Sequence, residues 1–386
     1  MTSIAPLVRC FFAMGLVLSL AFTVVGQKRL PDNEKTLGAM RTANQYFMDK
    51  WPDVGKRIVT ERSRASNIWT RSVYYEGLLA LYELDPQPAY LDYMLRWADF
   101  HQWDLRDGET YTRNAVNQYA GQIYISLYLM DPKPNRIEKI KASIDSMMRT
   151  EKIDDWNWID AIQMAMPVFA QLGTIYKDTR YRARMHDMYM FTRDKHGDNG
   201  LFNPQDNLWW RDKDFDPPYK EPNGEDCYWS RGNGWVFAAL VRVLDNIPKD
   251  EPHRKQYKHD FQAMAEALMK VQRKDGFWNV SLHDPTHYGG KETTGTALFV
   301  YGMAWGIRSG YLDAKTYKPV VTKAWNAIMK HSVTPHGFLG YVQGTGKEPK
   351  DRQPVTNDSM PDFEDFGLGC FLLAGSEVYK MTSDKK

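Results

Sequence analysis

The feature that most constrains the fold of this chain is a regular alternation between two kinds of helical segment. Apolar residues recur at spacings of three and four along most of the sequence, whereas the two-residue alternation of half-buried strands is scarce. This spacing predicts an all-α protein with twelve helices, at about residues 34–51, 68–83, 87–103, 115–130, 135–149, 158–173, 178–194, 229–245, 252–272, 293–309, 314–331 and 363–381.

The two kinds of helix differ in how much of their surface is apolar. The even-numbered helices, such as 115–130 and 293–309, contain glycine and alanine and almost no charge, so we expect them to be buried on every side. The odd-numbered helices, such as 135–149, are amphipathic. Six buried helices alternating with six half-exposed ones favour a closed (α/α)6 barrel of inner and outer helices, as one domain over residues 27–386. An open superhelix of helical hairpins is the alternative.

Long loops at 195–228, 275–292 and 333–362 precede inner helices and are rich in aromatic and turn residues, as expected of a binding surface. In a ring of parallel inner helices, the N-termini open on one mouth, where main-chain N–H groups favour an anionic ligand. For the threonines and Asp362, ordinary helix capping is the preferred interpretation. The first turns of the inner helices bring these side chains to the mouth: Trp69, Arg71, Asn117, Gln118, Trp158, Asp160, Trp229, Arg231, Asn233, Trp235, Thr293, Thr294, Thr296, Asp362, Glu364 and Asp365.

One carboxylate lies in the first turn of an otherwise apolar helix at 158–173. Trp156 and Trp158 flank Asp160, and apolar neighbours raise the pKa of a carboxyl group toward the range useful for donating a proton. The alternative is a carboxylate that only complements the helix dipole. The residues around Asp160 leave both interpretations open.

The segment Trp229-Ser230-Arg231-Gly232-Asn233-Gly234-Trp235 is a second candidate site. Two glycines are poor helix formers at a helix start, while two tryptophans bracket an arginine and an asparagine. Aromatic faces stack on sugar rings, and a guanidinium group holds a carboxylate through paired hydrogen bonds. The segment therefore predicts a pocket for an acidic sugar, although the glycines could also serve close helix packing.

Other features of the sequence exclude several classes of protein. The formal charge of +2 and the absence of long basic runs argue against nucleic-acid or membrane-surface binding. His283 and His287 have Pro285 between them in a predicted loop, so we predict no metal site there, and no nucleotide or phosphate motif suggests a cofactor. Cys227 and Cys370 permit one disulfide but do not require it.

The N-terminus has the form of a secretory signal. Arg9 precedes an apolar run over residues 10–25, and Val24-Val25-Gly26 has small-residue spacing before Gln27. We expect cleavage near Gly26 and a periplasmic or secreted protein, with an uncleaved anchor as the alternative. The predicted mature chain has no further stretch that could cross a membrane.

The run from Trp229 to Trp235, together with residues 158–161 and 292–297, resembles the unsaturated glucuronyl and galacturonyl hydrolases of glycoside hydrolase family 105. The resemblance extends over nearly the whole predicted mature chain and implies an (α/α)6 barrel without metal or cofactor. It implies removal of a 4,5-unsaturated uronic acid from the non-reducing end of lyase-generated oligosaccharides, of rhamnogalacturonan or ulvan type, by hydration of the C4=C5 bond, with Asp160 as acid and base. The implied substrate-binding residues are Asn117, Trp158, Trp229, Arg231, Asn233, Trp235, Trp69, Arg71 and Thr294.

The chain departs from that family in one respect, because Asn117 stands where the family commonly has an aspartate in the second inner helix. Two alternatives therefore stay open. A glycanase or lyase on the same barrel would need a second acid opposite Asp160, and Glu364 and Asp365 are the candidates. A non-catalytic protein could use the aromatic mouth only to bind glycans. The sequence leaves the uronyl isomer, the adjacent sugar and the oligomeric state undetermined.

Overall fold

The structure is a computed structural model, and it describes residues 1–2, 29–197 and 199–383. Nearly all of the predicted signal segment, including the cleavage position near Gly26, lies outside the described residues. The regular secondary structure of the described chain is almost entirely α-helical. Its α-helices are α1 Asn33–Lys50, α2 Trp69–Leu84, α3 Pro88–Phe100, α4 Ala115–Gln118, α5 Ala120–Met130, α6 Glu138–Met148, α7 Asp160–Ile175, α8 Thr179–Asp194, α9 Ser230–Asn246, α10 Arg254–Lys270, α11 Thr293–Arg308, α12 Ala314–His331 and α13 Asp365–Ser383.

The buried helices form a closed ring, so the predicted (α/α)6 barrel is confirmed and the open superhelix is not supported. Around the ring, α2 packs on α5, α5 on α7, α7 on α9, α9 on α11, α11 on α13 and α13 back on α2. The amphipathic helices lie outside, where α3, α8, α10, α12 and α1 pack on α2, α7, α9, α11 and α13. Nearly every residue of α7 from Asp160 to Gly173 is buried, as expected for an inner helix.

Glycine allows the ring to close between α13 and α2. A methyl group at Gly77 would lie 2.6 Å from the carbonyl oxygen of Gly369, and one at Gly369 would overlap the carbonyl of Val73. The two helices therefore touch through their main chains, an approach that a larger side chain would prevent. Such contact explains the glycines in segments that otherwise read as good helices.

Two details differ from the sequence prediction. The fourth predicted helix is divided at Tyr119, where the N–H of Gln122 donates to the Tyr119 carbonyl at 3.1 Å instead of continuing the α-helical pattern. Two short antiparallel ribbons are also present, β1 Ile58–Val59 with β2 Ser63–Arg64 and β3 Phe202–Asn203 with β4 Leu208–Trp209. Strands of two residues are too short to show a periodic pattern in a sequence.

The two remaining features of the fold are the cysteine pair and the possibility of a membrane-spanning helix. Cys227 and Cys370 are both buried and free, so the disulfide that the sequence permits is not formed. Within the described ranges, no helix has both the length and the apolar character needed to cross a membrane.

Candidate active site

The predicted acid, Asp160, is the first residue of α7 and has only 6% of its surface exposed. Its Oδ2 atom is buried and has no hydrogen-bond donor among the described residues. Burial raises the pKa of Asp160 above its usual range, and the charges of Arg211 and Arg231 oppose that rise without cancelling it. Burial therefore shifts Asp160 in the direction that proton donation requires.

Arg211 is the cation next to Asp160, with its Nε atom 3.3 Å from Oδ2. The position of Arg211 is fixed by the main chain, because the N–H of Ile159 donates to the Arg211 carbonyl at 3.0 Å and Trp158 forms a β-bridge with Asp212. The guanidinium of Arg211 also pairs with the carboxylate of Asp212. Arg211 is a site residue that no sequence pattern indicated, although it follows two tryptophans in one of the long loops.

Arg231 lies in the first turn of α9, fully buried, with its guanidinium 4.6 Å from the ring of Trp229 and 5.0 Å from that of Phe366. Its two Nη atoms donate to the carbonyls of Gln343, at 2.5 Å, and Gly344, at 2.7 Å. Burial lowers the pKa of Arg231, while the charges of Glu292 and Asp160 act in the opposite direction. A guanidinium has five N–H groups, so the two bonds to main chain leave others for an acidic ligand.

Gln343 connects the loop at 333–362 to this pocket and was also missed by the sequence analysis. Its Oε1 atom accepts from Trp229 Nε1 at 3.0 Å, and its side-chain amide donates to three carbonyls of the same loop. Its main-chain N–H donates to Glu292 at 3.3 Å. Because Gln343 is fully buried, these bonds hold the loop in one position against Trp229 and Arg231.

The other predicted site residues of α9 and α11 have mainly structural contacts. The side-chain amide of Asn233 is bonded to the main chain of Trp209, accepting at 2.9 Å and donating at 3.0 Å, so it fixes the Arg211 loop to α9. Thr294 donates to Glu292, which caps the N-terminus of α11, in agreement with the preferred capping interpretation. Trp235 is buried in edge-to-face contact with Trp69, at a centroid distance of 6.3 Å.

Arg71 is paired with Asp365 at 3.1 Å and stacks over Phe47 and Trp51. Asp365 is thereby occupied as the counter-ion of a buried arginine. Lys50 pairs with the second candidate acid, Glu364, at 2.6 Å. Neither carboxylate is placed as the free partner of Asp160 that a two-carboxylate glycanase needs.

Asn117, where the sequence departs from the expected aspartate, is buried and donates to Glu109 Oε2 at 3.1 Å. Glu109 precedes α4 by a few residues and is exposed. A carboxylate is therefore present beside Asn117, although it comes from the loop before the helix and not from the helix itself.

His287 and His283 belong to a cluster that joins two of the long loops. His287 contacts Glu221, and the main-chain N–H of Asn223 donates to Asp284 at 3.2 Å. Glu221, Asp284 and His287 have ligand-type atoms within 4.8 Å of one another, a geometry that could hold a cation. The carboxylate of Asp284 is already bonded to Thr286 and to main-chain N–H groups, so the cluster is also satisfied by its own hydrogen bonds. The prediction that no metal is needed stays a prediction.

The fold and the site together define a carbohydrate-active enzyme of the (α/α)6-barrel class. The mouth of the ring of buried helices holds one protonatable acid, an arginine stacked on a tryptophan, and further aromatic residues. A family model for glycosyl hydrolase family 88 matches residues 39–382, and the chain belongs to that family. The protein is thus a glycoside hydrolase by family.

Three similar proteins support this assignment. An unsaturated 3S-rhamnoglycuronyl hydrolase of Formosa agariphila is 32% identical over 81% of this chain and 84% of its own length. A family 88 glycosyl hydrolase from Bacteroides vulgatus has a TM-score of 0.83 and 32% identity, covering 91% of this chain and 100% of its own. A polysaccharide lyase has a TM-score of 0.82 and 29% identity, and the match covers 92% of this chain and 99% of the lyase chain. The resemblance to family 105 is also confirmed, since enzymes of that family share the fold.

Proposed function

We propose that this protein is a hydrolase that removes the 4,5-unsaturated uronic acid from the non-reducing end of oligosaccharides produced by polysaccharide lyases. The observation that carries the proposal is Asp160, a single buried carboxyl group at the start of an inner helix whose pKa is raised by burial. The name of the Formosa agariphila relative supports a rhamnose as the unit that follows the uronyl group.

The chemistry needs only one carboxyl group. Protonated Asp160 donates its proton to C4 of the C4=C5 double bond, and its carboxylate then removes a proton from the water that adds to C5. The resulting C5 hemiketal opens to a ketone by breaking the C5–O5 bond. The ring oxygen becomes a hydroxyl on C1, and the C1 hemiacetal releases the remaining oligosaccharide as an alcohol. Water is consumed and Asp160 regains its proton.

Arg231 and the tryptophans provide the binding part of the site. The free N–H groups of Arg231 are suited to the carboxylate of the uronyl group, because a guanidinium binds a carboxylate through charge-assisted hydrogen bonds. Burial strengthens this attraction by removing water from the pair. The ring of Trp229 holds the guanidinium in place from one side.

The proposal predicts that the ultraviolet absorbance of a lyase-generated oligosaccharide falls when the protein is added, since hydration removes the conjugated double bond. Asp160→Asn should abolish this fall. Asp154→Asn is the matched control, because Asp154 is exposed and only pairs with Lys152 at 3.2 Å. Full activity of Asp160→Asn would contradict the mechanism.

The similarity to a polysaccharide lyase gives a second candidate that the same assay separates. A lyase forms an unsaturated uronyl group, so absorbance rises when an intact polysaccharide is the substrate. The hydrolase consumes that group, so absorbance falls when lyase products are the substrate. We expect only the fall.

A further inference from the structure

A cavity of about 480 Å³ opens at the mouth next to the Arg231 pocket. Its inner wall is shared with that pocket, because Trp69 lines the cavity and lies 5.6 Å from Phe366, the ring on which Arg231 rests. Thr345 also lines it and directly follows Gly344, whose carbonyl accepts from Arg231. The volume falls in the range of pockets that bind small molecules.

Three arginines line this cavity and only one acid accompanies them. Arg62 and Arg64 come from the β1–β2 ribbon, and Arg106 comes from the short turn before α4. Arg106 Nε lies 3.2 Å from the exposed carboxylate of Asp107, without forming a hydrogen bond to it. Among the described ion pairs none involves Arg62 or Arg64, so the cavity carries an excess of two positive charges over its own acid.

Neutral groups hold Arg64 and the ribbon that carries it in position. Arg64 donates to Thr60 Oγ1 at 2.6 Å and lies over the ring of Phe363 at 5.6 Å, while Arg57 fixes the ribbon by donating to Ser63 at 2.7 and 3.0 Å. The nearby Asp362 does not neutralise them, because it is bonded to Thr345 and lies 3.7 Å from Arg352. Cations positioned without a protein carboxylate to balance them are suited to an anionic ligand.

We propose that this cavity binds an anionic substituent on the sugar that follows the cleaved uronyl group, and that Arg62, Arg64 and Arg106 determine specificity for it. This proposal rests on the proposed function, in which the unsaturated sugar is bound at Asp160. The rest of the oligosaccharide then extends along the mouth of the barrel. The anion is a sulfate ester on that sugar or the carboxylate of a second uronate, since both present the paired oxygens that a guanidinium binds.

The test uses the double variant Arg62→Gln/Arg106→Gln, which removes two cations and leaves the Arg64–Phe363 contact intact. Three disaccharides begin with the same unsaturated uronyl group: one continues with neutral rhamnose, one with 3-sulfated rhamnose and one with a uronate. We expect the variant to lose at least about ten-fold in kcat/KM on the anionic disaccharide that the enzyme prefers, with a much smaller loss on neutral rhamnose. Whether the sulfated or the carboxylated substrate shows the loss identifies the anion.

Arg96→Gln is the matched control, because Arg96 is an exposed arginine on α3 that does not line the cavity. It pairs with Asp92, donates to the carbonyl of Pro52 and lies over the ring of Tyr93. An equal loss on all three substrates would show that the arginines bind the uronyl carboxylate or act on folding, and would overturn the proposal. No loss on any substrate would overturn it as well.

A binding measurement separates this proposal from the proposed function. Asp160→Asn protein keeps the cavity, so calorimetric titration should show tighter binding of the preferred anionic disaccharide than of the neutral one, with the difference shrinking as salt is added. If the wild-type protein turns over none of the substrates but this preference is present and disappears in the double variant, the proposed reaction fails and the anion site stands. Equal affinities in the binding experiment would overturn the anion site even where turnover is observed.

Discussion

At the residue scale, the proposed chemistry depends on one carboxyl group, Asp160, whose pKa is raised by burial. Asp160 is surrounded by apolar helix on one side and by two arginines on the other, and burial has the larger effect on its pKa. The sequence pointed to Asp160 as a candidate, because a lone acid in an apolar inner helix is costly unless it is used or paired. The residues around it did not decide between a proton donor and a carboxylate that complements the helix dipole. Its partner Arg211 lies 51 positions further along the chain, in a loop whose position only the folded main chain determines.

Arg211 should set the upper pH limit of activity. Its positive charge lowers the pKa of Asp160, so Arg211→Gln should raise that pKa and keep the acid protonated to higher pH. The basic limb of the kcat/KM profile should therefore move upward in pH. Arg180→Gln is the control, because Arg180 is 81% exposed and pairs with Asp178 on the protein surface. A basic limb that stays in place, or moves downward, would contradict the assignment of Asp160 as the proton donor.

At the element scale, the barrel depends on main-chain contact between inner helices, and the site depends on loops tied to one another. Gly369 on α13 meets Val73 on α2, while the loops at 195–228 and 275–292 are joined through Asn223 and Asp284. Alternating helix character predicted the ring. The loop ties were not predictable, because each consists of single polar contacts between segments with no repeating pattern.

Closure of the ring should be sensitive to a single methyl group. Gly369→Ala should lower the free energy of unfolding by about 1–3 kcal/mol, since the added atom overlaps the Val73 carbonyl and forces α13 away from α2. Gly38→Ala on α1 is the matched control, because no atom of the described residues, apart from the adjoining backbone of α1, lies within 4 Å of the added methyl. It should stabilise the protein by about 0.5–1 kcal/mol. Denaturant unfolding of both variants measures the difference. Equal stabilities would argue against close packing at this junction.

Asp284 should stabilise the loop cluster in a pH-dependent manner. Burial raises its pKa, but hydrogen bonds from Thr286, Asn223 and His287 outweigh that effect and hold the pKa below the usual 3.8. A lowered pKa in the folded protein gives stability that is present above the unfolded value and lost as pH falls through the folded value. Asp284→Asn should therefore lower Tm at neutral pH, and the difference from wild type should narrow below about pH 4.

The control for Asp284 is Asp92→Asn, where the carboxylate is exposed on α3 and pairs with Arg96 at 2.8 Å. A Tm difference that is the same at pH 7 and at pH 3 would show that the hydrogen bonds do not depend on the charge of Asp284. Addition of a chelator during the same experiment tests the cluster for a bound cation, and we expect Tm and turnover to be unchanged.

At the scale of the whole molecule, the chain combines a barrel with an N-terminal segment of different character. The family model spans residues 39–382, which leaves the apolar run at 10–25 outside the matched region. A basic residue, an apolar run and small residues before a polar sequence are typical of export signals. Oligosaccharides released by lyases acting outside the cytoplasm would then meet the enzyme where they are formed.

We predict that the exported protein begins near Gln27. N-terminal sequencing or intact mass of protein recovered from the periplasm or medium measures this directly, with protein from a version lacking residues 2–26 as the control that should stay in the cytoplasm. Recovery of the full-length chain in the membrane fraction would support the uncleaved anchor instead.

The sequence by itself determined the class of fold and the alternation of inner and outer helices, and it marked Asp160 as a candidate acid. Each of these follows from local patterns, namely apolar spacing, glycine content and a charge placed among apolar residues. Only the tertiary structure decided which polar groups meet. It placed Arg211 beside Asp160, bonded Arg231 to main chain 112 positions away at Gln343, used Asn233 to hold a loop, and brought three arginines around one cavity. Long-range contacts of this kind join residues far apart in the sequence, and they depend on how the loops pack against the barrel. Because these loops have no periodic pattern, no local pattern could have predicted the contacts.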